Sequence, residues 1–120
     1  MSNSKFFRVE SIGETLVFTA TNSLGSLVED DVREEWEALL NEFDVHQARN
    51  AVMDLGALDY FGSIMLELMV ILWKRVSAKR GKMVVCNVSH VGNEILHTAK
   101  FHTIWPIVGS RDEALASIGS

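Results

Sequence analysis

Apolar and polar positions along this chain switch between a two-residue and a helical period. Phe6 to Val9 and Thr15 to Ala20 are apolar runs on either side of Ser11-Ile12-Gly13-Glu14, which predicts two strands joined by a hairpin turn. Val32, Trp36, Leu39, Leu40 and Phe43 are then spaced by 4, 3, 1 and 3, one face of an amphipathic helix. Ser26-Leu27-Val28-Glu29 has the spacing of a capping box at its start. Asp30, Asp31, Glu34 and Glu35 form mostly its solvated side, where acidic residues also suit the helix dipole.

Ala51-Val52-Met53-Asp54-Leu55 predicts a strand buried on both faces. A second helix is predicted from Ser63 to Arg80, with Met65, Met69, Leu72, Trp73 and Val76 on one face and Glu67, Lys74 and Ala78 opposite. Ile64, Leu68 and Ile71 make a further apolar strip, either packed under neighbouring helices or exposed as a docking or dimer surface. Gly81 is expected to end this helix after Lys79 and Arg80. Met83 to Asn87 predicts a strand, Val91 to Ala99 a helix starting near Ser89, and Thr103 to Val108 a strand whose Pro106 suggests an edge. Ser110-Arg111-Asp112-Glu113 is a second capping box, opening a helix over Asp112 to Ile118. The order ββαβαβαβα predicts one α/β domain over residues 1–120, a mixed sheet of about five strands covered by about four helices.

Composition narrows the function classes. With 120 residues, 11 Lys and Arg against 16 Asp and Glu, and a net charge of −5, the chain suits one folded domain. It does not suit one that holds nucleic acid or an anionic membrane by bulk charge. The most apolar window, Ile64 to Trp73, is interrupted by Glu67 and is too short for a bilayer, which needs about 20 residues. The polar start Met1-Ser2-Asn3-Ser4-Lys5 lacks a signal-peptide core, and a single cysteine, Cys86, forms no intrachain disulfide, so a cytoplasmic location is expected. Cys86 lies in an apolar run and reads as a small core residue.

Candidate chemistry is sparse. His46, His90, His97 and His102 are separated by 44, 7 and 5, none of them the i, i+4 spacing of a helical ligand pair, so no metal site is expected. There is no phosphate-binding glycine loop and no nucleophile elbow, and Trp36, Trp73 and Trp105 fall on apolar faces. No cofactor and no enzymatic activity are expected. The informative stretch is the junction Leu58-Asp59-Tyr60-Phe61-Gly62-Ser63-Ile64-Met65, between a buried strand and a helix N-terminus. Free N–H groups there stabilise added negative charge, so Ser63 is either a plain N-cap or a switch hydroxyl.

From Asp54 to Ser89 the chain resembles the STAS domain of bacterial anti-sigma factor antagonists. The resemblance rests on the Val52-Met53-Asp54-Leu55 strand, the junction, the helix ending Trp73-Lys74-Arg75-Val76, and Arg80-Gly81-Lys82-Met83-Val84-Val85-Cys86-Asn87-Val88-Ser89. Glu94-Ile95-Leu96 and Glu113-Ala114-Leu115 extend it over nearly the whole chain. The resemblance implies a non-catalytic signalling module that regulates transcription by partner switching, binding an anti-sigma factor that is a serine kinase. In such relatives the junction reads Asp-Ser-Ser/Thr-Gly, with its third residue phosphorylated. Anchoring on Gly81 sets Gly62-Ser63-Ile64-Met65 against that motif; a competing alignment uses Asp59-Tyr60-Phe61-Gly62. Either way the acceptor hydroxyl is missing, at Ile64 or at Phe61, which implies a permanently unmodified, partner-binding form with Ser63 as a possible displaced acceptor. The expected contact region is Asp59 to Met65. The alternative within the same fold is a small-molecule sensor or transport-accessory subunit.

Overall fold

The computed structural model describes residues 2–3, 6–21 and 29–119. Thr15–Ala20 (β3) carries Leu16, Phe18 and Ala20 on one face and Val17 on the other, all fully buried, so a strand here must be covered on both sides. It pairs antiparallel with Phe7–Ile12 (β2), with Val9 opposite Phe18, through a turn in which Gly13 takes φ +60°. A two-residue strand, Ser2–Asn3 (β1), adds antiparallel to β2 beyond the five strands expected. Asn50–Asp54 (β4), Met83–Cys86 (β5) and Ile107–Val108 (β6) then follow in parallel, so that among the described residues the sheet runs β1-β2-β3-β4-β5-β6.

The crossovers place Glu29–Val45 (α1), Ser63–Ala78 (α2) and His90–Thr98 (α3) on one face, and Arg111–Gly119 (α4) on the other. One core joins Leu16, Phe18, Ala51, Met53, Met83 and Val85 to Trp36, Met69, Leu72 and Leu96. The second is smaller: Val17, Val52, Val84 and Cys86 pack against Ala114. The predicted helix faces agree with this, since Val32, Trp36, Leu39, Leu40 and Phe43 are all buried. The capping box at Ser26 lies outside the described residues.

Three details differ from the expectations, and the two readings of the Ile64, Leu68 and Ile71 strip separate. Leu68 is 1% exposed, and Ile64 and Ile71 are half-buried against the core, so their strip is packing rather than a free surface. The Trp36 Nε1–H donates 2.9 Å to the Leu68 carbonyl, seating α1 on it. Helix α2 stops at Ala78, and the left-handed residue after it is Arg80, not Gly81. Gly81 is needed for close approach instead: a Cβ there would lie 1.5 Å from the Arg49 carbonyl oxygen. The last strand is shorter than the predicted Thr103 to Val108. Lys100 at φ 64° turns the chain, and a 3-10 turn over Phe101–Thr103 precedes Trp105, which stacks 4.7 Å from Phe101. Glu35, assigned to the solvated side of α1, instead accepts the Phe6 and Phe7 N–H groups at 2.9 and 3.1 Å.

Candidate functional site

The loop between β4 and α2 is built from the end of the strand outward. Asp54 Oδ1 accepts 2.9 Å from the Gly56 N–H and 3.2 Å from Asn87 Nδ2, joining the ends of β4 and β5. Leu58 N–H donates to the Leu55 carbonyl at 3.0 Å and closes a turn. Leu58 and Phe61 anchor the loop in the core, at 8% and 6% exposed, and the residues between and after them are pushed outward. Asp59, Gly62 and Ser63 are exposed, and Tyr60 is 73% exposed. An unshielded tyrosine held between two buried anchors is a shaped protrusion rather than core.

Ser63 is the first residue of α2, and extended Gly62 takes the cap position, so Ser63 is not the N-cap. Its hydroxyl has no hydrogen-bond partner among the described residues, and the first turn carries no acidic side chain. Ile64 is half-buried, and Met65 is a core residue at 4% exposed. Of the seven residues singled out from sequence, Asp59, Tyr60, Gly62 and Ser63 thus form a surface, Phe61 and Met65 support it, and Ile64 lies at the boundary.

The start of α3 joins this surface, which sequence reasoning did not foresee. The Ser89 hydroxyl accepts 2.9 Å from the Gly92 N–H as the cap of α3 and donates 2.5 Å to the Asp59 carbonyl. Gly92 is buried there, and a Cβ on it would come within 2.9 Å of the Phe61 ring. A serine cap followed three residues later by glycine was the available signal. Val91, 49% exposed, and His90, paired 3.1 Å from Glu94, are on the outer turn of the same helix. Two helix N-termini and one protruding loop are therefore tied together by a single side chain.

This arrangement suits recognition. Cys86 is fully buried, and burial, with Asp54 nearby, pushes its thiol up to about 12, so it is no nucleophile at neutral pH. Among the described residues no three His, Cys, Asp or Glu side chains gather as a metal cluster, and no helix is long and apolar enough to cross a membrane.

Comparison with known proteins agrees with this architecture. The profile of the STAS domain matches residues 7–114. The putative anti-sigma factor antagonist BtrV of Bordetella bronchiseptica is 32% identical over 69 residues, 58% of this chain and 60% of that protein, so the matched stretch spans under two thirds of that relative. An anti-sigma-factor antagonist (STAS) domain protein from Planctomyces limnophilus superposes with a TM-score of 0.82 at 28% identity, covering 95% of this chain and 98% of the other. The anti-sigma factor antagonist SpoIIAA in its unphosphorylated form shares the fold, with a TM-score of 0.75 at 13% identity over 95% of this chain and 97% of its own. With the family profile spanning β2 to α4, the chain belongs to the STAS domain family.

Proposed function

We propose that this domain is a non-catalytic antagonist-type module. It docks on an anti-sigma factor of the serine-kinase kind through the β4–α2 loop and the first turns of α2 and α3, and so regulates transcription by partner switching. The observation that carries the reading is the exposed set Asp59, Tyr60, Gly62 and Ser63, held outward by buried Leu58 and Phe61. That relatives of similar sequence and fold are named anti-sigma factor antagonists supports the partner class.

The phosphoacceptor position of the family falls on Ile64, and the domain remains in its unmodified, binding form. Burial supports this alignment over the alternative: Phe61 is 6% exposed and packs beneath α3, whereas Ile64, on the first turn of α2, is only partly buried. A residue that a kinase modifies has to be reachable.

The test is binding to the cognate anti-sigma factor. Ser63→Asp adds negative charge at the start of α2, where the dipole favours folding, so lost binding would report the interface and not instability. An unchanged affinity would remove the loop from the contact surface. With ATP and the partner kinase, wild-type protein is expected to take up no phosphate, while Ile64→Ser does.

A further inference from the structure

The four histidines, unremarkable in sequence, do not stay apart. Helix α3 carries His97 in its last turn, Lys100 at φ 64° reverses the chain, and the 3-10 turn returns His102 over it. The two rings stack with centroids 4.1 Å apart and planes 14° from parallel. Both are exposed, and with Asn93 they line a crevice of about 440 Å³ between α3 and the end of β6.

The His97 ring is oriented in the way a metal ligand requires. Its Nδ1 is 2.8 Å from the Asn93 carbonyl, which can only accept, so Nδ1 carries the proton and Nε2 of the neutral ring presents a bare lone pair. A backbone carbonyl on the far nitrogen is the support that fixes tautomer and angle in metal-bound imidazoles. His102 makes no hydrogen bond among the described residues and is free to turn about its side-chain torsions. Two imidazoles on one tetrahedral ion have nitrogens about 3.3 Å apart and ring centroids about 5 Å apart, with planes no longer parallel, so the stack at 4.1 Å must open, which His102 can do by turning about its side-chain torsions. Glu113 accepts from the Gly109 N–H at 2.7 Å, where Gly109 lines the same crevice, placing a carboxylate at its rim. That carboxylate, together with the net charge of −5, favours a cation over an anion.

We propose that His97 and His102 form a solvent-open site for one divalent transition-metal ion of the zinc, nickel or copper class. Water and the Asn93 carboxamide complete the coordination. The bound ion cross-links the last turn of α3 to the turn that leads into β6.

The experiment is titration of tag-free protein with Zn²⁺ and Ni²⁺, read by calorimetry and by the imidazole C–H resonances of the four histidines. One ion per chain is expected, with a Kd on the order of 10 μM. The His97 and His102 signals should change together while those of His46 and His90 do not. His97→Ala and His102→Ala should each weaken binding about tenfold or more; both side chains are exposed, and unchanged far-ultraviolet circular dichroism would certify folding. Wild-type affinity in either variant overturns the site. So does a response spread equally over all four histidines, or the absence of saturable binding by about 1 mM metal.

Discussion

The Ser89 hydroxyl donates to the Asp59 carbonyl oxygen at 2.5 Å, so the side chain that caps α3 also holds the loop that opens α2. Ser89→Ala removes the cap and the tie together. Loss of a serine cap costs about 1–2 kcal/mol, which urea unfolding would register. If the loop is the docking surface, partner affinity should fall in Ser89→Ala and in Ser89→Asp alike, because ionised aspartate keeps the cap but cannot donate to the Asp59 carbonyl; unchanged affinity in both variants would detach the tie from docking.

Glu35 provides a second check on the architecture. Its carboxylate accepts the N–H groups of Phe6, just before β2, and Phe7, its first residue, from across the core on α1. Charge-assisted bonds of this kind contribute about 1.5–3 kcal/mol each when a partner is removed. Glu35→Ala is therefore expected to lower stability by about 2 kcal/mol or more, whereas Glu34→Ala, on the exposed side of the same helix, should change it by no more than about 0.5 kcal/mol. Equal effects in denaturant titrations would contradict the assignment.

Gly81 tests close backbone approach. With a Cβ only 1.5 Å from the Arg49 carbonyl oxygen, an alanine at this position forces apart the entries to β4 and β5. Gly81→Ala is expected to cost at least about 3 kcal/mol. Gly62→Ala meets nothing within 4 Å and should fold normally. Comparing the two midpoints separates a packing role from a generic glycine effect.

These cases mark where sequence reading reached and where it stopped. The helix faces were legible because each buries a periodic set of large apolar residues, such as Val32, Trp36 and Phe43. The strands β3 to β5 were legible because both of their faces are covered. Glu35 was not, since nothing in a run of acidic residues says which one turns back to a strand 28 residues away. Gly81 looked like a helix stop because proximity to Arg49 is a long-range fact. The predicted strand from Thr103 lost all but its last two residues, after Lys100, whose left-handed backbone no local pattern announced. At the candidate site the exposed loop was legible, but its link to Ser89 and Gly92 depends on α3 folding back over Phe61.

Cys86 offers a chemical readout of the smaller core. Its side chain is fully buried beneath α4, and its thiol is pushed up to about 12, chiefly by burial. Since the thiolate is the reacting species, iodoacetamide at pH 8 should leave the native protein unmodified over hours and label it fully in denaturant. Rapid labelling of folded protein would mean that α4 opens readily from the sheet.

Asp44 gives the pH dependence its sign. Its carboxyl is held below the ordinary aspartate value of 3.8, first by the hydrogen bond from Lys79, with burial opposing and the charges of Arg75 and Lys79 adding to the shift. The ion pairs, 2.5 Å to Arg75 and 2.9 Å to Lys79, clamp the end of α1 to the end of α2. A carboxyl with a depressed folded pKa stabilises the protein above its unfolded pKa, and that contribution disappears as pH falls through the folded value. The Asp44 side chain is 43% exposed, so solvent screening keeps the contribution small. Asp44→Asn should therefore destabilise slightly at pH 7 and less in high salt, with the difference from wild type vanishing as pH falls below the ordinary aspartate range. A difference that persisted unchanged into acid would assign the effect to packing of the side chain rather than to its charge.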